Sequence, residues 1–419
     1  HRPIKAVVRN IKDLFGLFAP IPAIETEAGK LGILILNWRD TKHAWSGGAE
    51  VYIHELAKRW VKEGHGVTLF CGNDGKSKTN DEIEGVNIIR HGGFYTVYLW
   101  AILYYILRLR GKFDVIIDSE NGIPFFTPLY VGRPAILIIY HVHQDYLQQE
   151  APFPLGYIAK FFESVLMPRV YQNSQVVTIS ESSKKDIVGL GLGRDKDIEV
   201  INPGIDLDNF KKLKKTKNPS FVYLGRLRPY KNIDIAINAF AKLPQIYRGA
   251  FLTIAGDGES ASDLRKLATA LGITDSVRFL GRISEGEKAR LLASAWVAIQ
   301  PSSFEGWGIT VIEANAAGTP VIASNINGLS DSVVDGITGL LVPPRDETVL
   351  LKAMEGLIKS KRFRSELSQK AYQWAKKFSW DKSANEFLKI IFKSLDPGRE
   401  VLFVRRLAFQ AMNSKNDDN

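Results

Sequence analysis

Glu305 and Glu313 stand eight positions apart, joined by the glycine-rich turn Gly306-Trp307-Gly308 and the apolar run that follows it. The first acid falls in a strand-to-helix loop and the second one turn into the helix. An ionised carboxylate only accepts hydrogen bonds, so two of them here suit a ligand rich in hydroxyl donors, a sugar or a ribose. The backbone amides of Gly308, Ile309 and Thr310 would point out of the helix N-terminus, which attracts phosphate. The plainer alternative is a pair of acids serving the helix dipole. Arg226 and Lys231 add a second feature. A strand ends at Leu224, Gly225-Arg226 turns out of it, and Lys231 precedes the next helix. Two cations converging on one strand end suit a diphosphate, although an isolated Arg/Lys pair is more often surface charge.

The first half of the chain offers different groups. Gly47-Gly48 precede a helix directly after the first strand, where glycine lets a backbone approach a ligand closely. The loop lacks GxGxxG, and Gly256-Asp257-Gly258 is too short to replace it, which disfavours a dinucleotide-dependent dehydrogenase. In AILIIYHVH (135–143), His141 sits at the carboxyl end of a strand with His143 two residues on. Alternation puts both imidazoles on one side. No third ligand stands at a metal-binding spacing, so no metal site is expected. No conspicuous catalytic carboxylate is visible in this half either.

These residues need two scaffolds. Strand-like runs alternate with amphipathic helices, the pattern of parallel βαβ units. LGILILNW, HGVTLFC, NIIRH, FDVIID, AILIIYH and QVVTIS make a first doubly wound sheet of six or so strands. The stretch 199–217, with a Pro-Gly turn and the run KKLKKTK, reads as a linker. FVYLGRL, FLTIAGDG, VRFLGR, WVAIQPS, PVIAS and TGLLVPP then make a second, shorter sheet, and helices are predicted over 346–360, 363–377 and 378–395. Ligands of such sheets bind beyond the carboxyl ends of the strands, so two facing sheets would share one cleft.

Composition narrows the partners. The 419 residues are 45% hydrophobic and 24% charged, which fits an ordinary globular protein of two domains. A formal charge of +10 favours anionic partners. Nucleic acid is not expected, because the lysine run reads as a solvated linker and no nucleic-acid module accompanies it. The single cysteine, Cys71, ends an apolar run and reads as a buried small hydrophobe, in keeping with a reducing, cytoplasmic setting. Residues 1–20 are too interrupted by charge for a signal peptide. TVYLWAILYYILRLR (96–110) is shorter than the roughly 20 residues of a membrane span. It reads as a helix packed on a sheet or, more sharply, as an interfacial helix in peripheral contact with an anionic inner membrane face.

Taken in order, SGGAE (46–50), His141, TISESSKKDI (178–187), INPGID (201–206), GRLRPYK (225–231), AGDG (255–258) and FEGWGITVIEANAAGTPVIAS (304–324) resemble the retaining glycosyltransferases of family 4, in the glycogen-synthase-like superfamily. The likeness covers about residues 31–395, and the two-acid element is its most diagnostic part. It implies an α/β GT-B fold, two facing Rossmann-like domains with a cleft between them. The first would span 31–205, completed by a returning helix at 379–395; the second would span 206–378; 1–30 and 396–419 would be an extension and a tail.

The resemblance also implies roles. Arg226 and Lys231 would neutralise the leaving diphosphate of a nucleoside-diphosphate sugar, UDP- or GDP-linked, in place of a metal or any cofactor. Glu305 would hold hydroxyls of the transferred sugar and Glu313 those of the ribose. Gly308, Ile309 and Thr310 would meet the phosphates, Gly48 would lie against the donor, and His141 would contact the sugar. The acceptor would be a glycan, a lipid-linked glycan or another glycoconjugate. A GT-B nucleotide-sugar epimerase and a non-catalytic sugar-nucleotide or glycan-binding protein are the alternatives.

Overall fold

The computed structural model describes residues 30–143, 154–243 and 246–396. They form two compact units. One takes the described residues up to Ile179, Ser183–Ile201 and those from Asp381 onward; the other takes Ser180–Ser182 and Asn202–Trp380.

Unit 1 is built on an eight-stranded sheet of order β3-β4-β2-β1-β5-β6-β7-β8. The strands are β1 (Gly32–Asn37), β2 (Gly66–Cys71), β3 (Asn80–Ile83), β4 (Val86–Arg90), β5 (Val115–Glu120), β6 (Ala135–Ile139), β7 (Gln175–Thr178) and β8 (Ile198–Val200). All neighbours pair in parallel except β3 and β4. Every residue of β1, β2 and β5 is buried, as in a parallel sheet with helices on both faces; β1 and β2 read as largely apolar runs, whereas β5 ends in the buried polar residues Asp118, Ser119 and Glu120. The edge strand β3 escapes a search for apolar runs because its sequence is NDEI. It is formed by a hairpin whose turn residues Glu84 and Gly85 both have positive φ, the primed geometry that matches strand twist.

Unit 2 is an all-parallel six-stranded sheet of order β11-β10-β9-β12-β13-β14. Its strands are β9 (Ser220–Leu224), β10 (Phe251–Ala255), β11 (Val277–Gly281), β12 (Val297–Gln300), β13 (Val321–Ser324) and β14 (Gly339–Val342). All six correspond to apolar runs in the sequence. Strand order reverses between β1 and β5 in unit 1 and between β9 and β12 in unit 2. The carboxyl ends of those strands are therefore the ligand positions of each sheet.

The last helix, Trp380–Leu395, returns to unit 1. The indole of Trp60, on the helix Gly48–Lys62, donates to the Ala384 carbonyl at 3.1 Å, and its ring lies 5.4 Å from that of Phe387. The helices before it, Glu347–Lys359 and Lys361–Ala375, are capped by Asp346 and Ser360, whose side chains accept from Val349 and Phe363 amides. The chain passes to unit 2 at Asn202, before the expected 205/206 boundary. A Cβ at Gly204 would sit 2.0 Å from the Trp380 amide nitrogen, so the segment that follows β8 and the start of the returning helix touch backbone to backbone. Cys71 is buried, as its setting in the sequence suggests. The segment 96–110 is a helix, Val97–Tyr104, continued by one π turn, Tyr105–Leu109; Trp100, Tyr104, Tyr105 and Leu109 face the core. Among the described residues no helix is long and apolar enough to cross a membrane.

Gly204→Ala must displace backbone and is expected to cost about 3 kcal/mol. Gly286, in the first turn of the helix Glu285–Ser294, has nothing within 4 Å of a built Cβ. Gly286→Ala should raise stability by about 0.5 kcal/mol. Urea unfolding midpoints of the two variants check both, and equal midpoints would contradict the contact.

Candidate active site

The centre of the unit 2 site is set by the adjacency of β9 and β12. Lys231 ends a 3-10 turn, Pro229–Lys231, after β9; Glu305 lies in the loop after β12. The Lys231 ammonium is paired with Glu305 Oε1, and both side chains are largely buried. The same carboxylate oxygen accepts from Gln300 Nε2 at 2.8 Å and from Ser302 Oγ at 3.1 Å. Asn232 ties the loops together. It adopts φ +48°, donates to the Pro301 carbonyl at 2.9 Å and to Ser303 Oγ at 2.6 Å, and accepts from Arg345 at 3.2 Å. Arg226 is half-buried on the same side, its guanidinium 3.4 Å from the Tyr230 hydroxyl. The carboxylate thus holds the lysine head in place, and both cations stand at one strand end.

Gly308 begins the helix Ile309–Ala316 with φ +81°, and a Cβ there would meet Leu329 at 2.8 Å. Ile309 and Thr310 follow it into the first turn, whose amides have no acceptor within the helix. Glu313 sits deeper on the same helix. Burial raises its carboxyl above the ordinary value, opposed by Lys288, whose Nζ lies 2.5 Å from Oε1. Lys288 was not legible in the sequence: it is one of several charges on an amphipathic helix, and only the fold brings it to Glu313.

In unit 1, Gly48 starts its helix after β1, and a buried network fixes the loop. Glu50 accepts from the Gly47 amide at 2.6 Å, from Arg39 Nε at 3.1 Å and from Asn121 Nδ2 at 3.2 Å. His141 follows β6, with its ring centroid 4.0 Å from that of His143, so the two imidazoles do share a side. Tyr140, between them and the strand, is buried with its hydroxyl 2.8 Å from Ser119 Oγ. The carboxylates that sequence reading did not find in this half are Glu120, at the end of β5, and Glu163, in the π turn Phe162–Leu166. With His143 they form a buried three-residue group whose ligand-capable atoms lie within 4.8 Å of one another. Burial pushes the Glu120 carboxyl up to about 8, with His143 opposing and Glu163 adding to the rise. Sequence distance hides this group: Glu163 lies 20 residues beyond His143.

Family models match both units. Residues 205–374 match the model described as "Glycosyl transferases group 1", and residues 46–209 match "Glycosyltransferase Family 4". A D-inositol 3-phosphate glycosyltransferase of Frankia alni is 32% identical over 395 residues, 84% of this chain and 96% of that protein. A glycogen synthase of Mycobacterium tuberculosis is 26% identical over 358 residues, covering 78% and 86% of the two chains. Among solved structures, sucrose-phosphate synthase from Thermosynechococcus elongatus superposes with a TM-score of 0.75 at 19% identity, covering 86% of this chain and 98% of that one. Anabaena HepE in complex with UDP-glucose gives 0.68 at 18% identity, covering 86% and 99%. The chain belongs to the family 4 glycosyltransferases of the glycogen-synthase-like superfamily and has their two-domain, Rossmann-like GT-B fold. It is a glycosyltransferase.

Lys288→Met leaves Glu313 buried without its cation, which raises the carboxyl further. An ionised carboxylate in that state destabilises the fold, so the deficit against wild type is small near pH 4, where unfolded glutamates also hold protons (ordinary value about 4.3). It grows as pH rises towards the folded value. The expected loss at pH 8 is about 1–3 kcal/mol. Urea midpoints at pH 5 and 8 read it, and a wild-type midpoint at pH 8 would contradict the pairing.

Proposed function

We propose that the enzyme moves a hexosyl group from a nucleoside-diphosphate sugar, UDP- or GDP-linked, to a glycan, lipid-linked or glycoconjugate acceptor with retention of anomeric configuration. The observation that carries this reading is the buried Lys231–Glu305 pair beside Arg226 at the ends of β9 and β12. A diphosphate brought to this point meets two cations already fixed in place. They stabilise the charge that develops as the sugar–phosphate bond breaks, the role a divalent ion would otherwise take. Glu305 keeps its second oxygen for a hydroxyl donor of the sugar, and Glu313 serves the ribose. The amides of Gly308, Ile309 and Thr310 face phosphate oxygens. Gly48 contacts the donor and His141 the transferred sugar. In the transfer step the acceptor oxygen bonds the anomeric carbon on the face that the diphosphate leaves, and its proton passes to the departing phosphate oxygen. The UDP-glucose complex of HepE supports the donor class. The reading needs no metal and no cofactor.

The same reading places the enzyme in the cytoplasm, at the membrane face where lipid-linked acceptors lie. Leu99 and Leu107, with Leu129, Tyr157 and Phe161, are exposed on unit 1. Edge contacts Tyr105–Tyr130 and Phe126–Phe162, both 5.7 Å between centroids, join the segments that carry them. Arg110, Lys112 and Arg133 are exposed nearby in sequence. Apolar side chains with flanking cations suit an anionic bilayer surface.

Arg226→Ala, Lys231→Ala and Glu305→Ala should each lower kcat for sugar transfer at least ~100-fold, the scale of a preorganised electrostatic group, while wild-type transfer persists in EDTA. Near-wild-type turnover of all three, or loss in EDTA reversed by Mn²⁺, would overturn the reading. In flotation with phosphatidylserine vesicles, Leu107→Asp should bind about tenfold more weakly, the loss of one buried leucine. Unchanged flotation would remove the membrane assignment alone.

A further inference from the structure

The buried group of Glu120, His143 and Glu163 takes no part in the mechanism above, yet it lies directly against His141. Glu120 is fully buried at the carboxyl end of β5, and Glu163 is 1% exposed. The His143 amide donates to Glu163 Oε1 at 2.6 Å, while its ring Nδ1 lies 3.4 Å from the same oxygen and 4.0 Å from Glu120 Oε1. Glu120 Oε1 accepts from the Gly122 amide. Its Oε2 is buried with no hydrogen-bond partner. The His143 ring also lies against that of His141, with centroids 4.0 Å apart and planes tilted at 45°.

We propose that His143 is a positioning residue for His141: the Glu120–Glu163 pair grips its ring, and the gripped ring fixes the ring of His141. Charge balance follows from the burial. Two ionised carboxylates within 4.8 Å of one another cannot share a site out of water without a cation. The cluster is neutral when Glu163 is ionised, His143 is an imidazolium and Glu120 keeps its proton. The raised carboxyl of Glu120 agrees with this distribution. Asp118, the other acid on β5, is occupied by the Thr127 hydroxyl at 3.0 Å and by the Phe125 amide at 3.0 Å. The ring plane of His141 is thereby set by a neighbour whose Nδ1 lies against two buried carboxylates.

This inference rests on His141 contacting the transferred sugar, and the test separates the two. Histidine ring signals are followed by NMR across pH in the full-length wild type and in Glu163→Gln, with kcat and donor KM measured alongside. His143 should remain protonated at pH 7 in wild type and lose that proton in Glu163→Gln. The variant should lose about tenfold in kcat with donor KM unchanged, and Glu163→Asp should recover part of the loss. A neutral His143 in wild type at pH 7 would overturn the proposal, as would a Glu163→Gln kcat equal to wild type. If Glu163→Gln does not fold, Glu120→Gln, which keeps the shape of the protonated acid, should leave His143 protonated at pH 7; loss of the His143 proton in that variant would overturn the proposal. Stoichiometric Zn²⁺ in the purified enzyme, lost in Glu163→Gln, would also overturn it by putting a metal where the proton is assigned. If His141→Ala leaves transfer intact while His143 stays protonated, the functional assignment of His141 fails and the carboxylate grip stands.

Discussion

The pairing of Lys231 with Glu305 is the interaction on which the rest of unit 2 depends. An ammonium and a carboxylate this deeply buried tolerate each other only with good geometry and with their remaining polar atoms occupied. Gln300 and Ser302 occupy the carboxylate, and Asn232 locks the two loops that carry the pair. The partners lie 74 residues apart. They meet because β9 and β12 are neighbours at the point where strand order reverses. The sheet topology thus fixes where a cation can be held, and the held cation defines a place for a diphosphate.

Unit 1 uses the same principle with different groups. Its loop after β1 is held by Glu50 through Arg39, Asn121 and the Gly47 amide, which sets the backbone at Gly48. Its loop after β6 carries His141 against His143. In both units a buried charged or polar group fixes a loop at a strand carboxyl end.

Much of this was legible in the chain. Parallel strands covered on both faces are largely apolar, so β1, β2, the first half of β5 and the strands of unit 2 announce themselves as runs rich in Val, Ile, Leu and Phe. The polar hairpin strand β3 does not. Arg226, Lys231, Glu305, Gly308 and Glu313 stand out because glycine turns and charges at strand ends are local patterns. Pairings across the fold leave no local trace: Lys288 with Glu313, Arg39 with Glu50, and Glu120 with Glu163 around His143. The carboxylates of unit 1 were missed for a further reason. One closes a strand and the other sits in a π turn, and neither position breaks an otherwise ordinary run. Near the boundary at Asn202, the backbone contact between Gly204 and Trp380 is one that only the returning chain creates.

The central claim, that fixed side-chain cations hold the donor diphosphate, is tested most directly by calorimetric binding in chelator-treated buffer. The tighter of UDP and GDP is compared with its own monophosphate, in wild type and in Lys231→Met. The account predicts that wild type prefers the diphosphate by roughly 100-fold, the scale of two charge-assisted contacts at about 1.5 kcal/mol each. Lys231→Met removes one of the two contacts and should leave a preference of about tenfold. Equal affinity for mono- and diphosphate in wild type, or a diphosphate preference that appears only on adding Mg²⁺ or Mn²⁺, would contradict it.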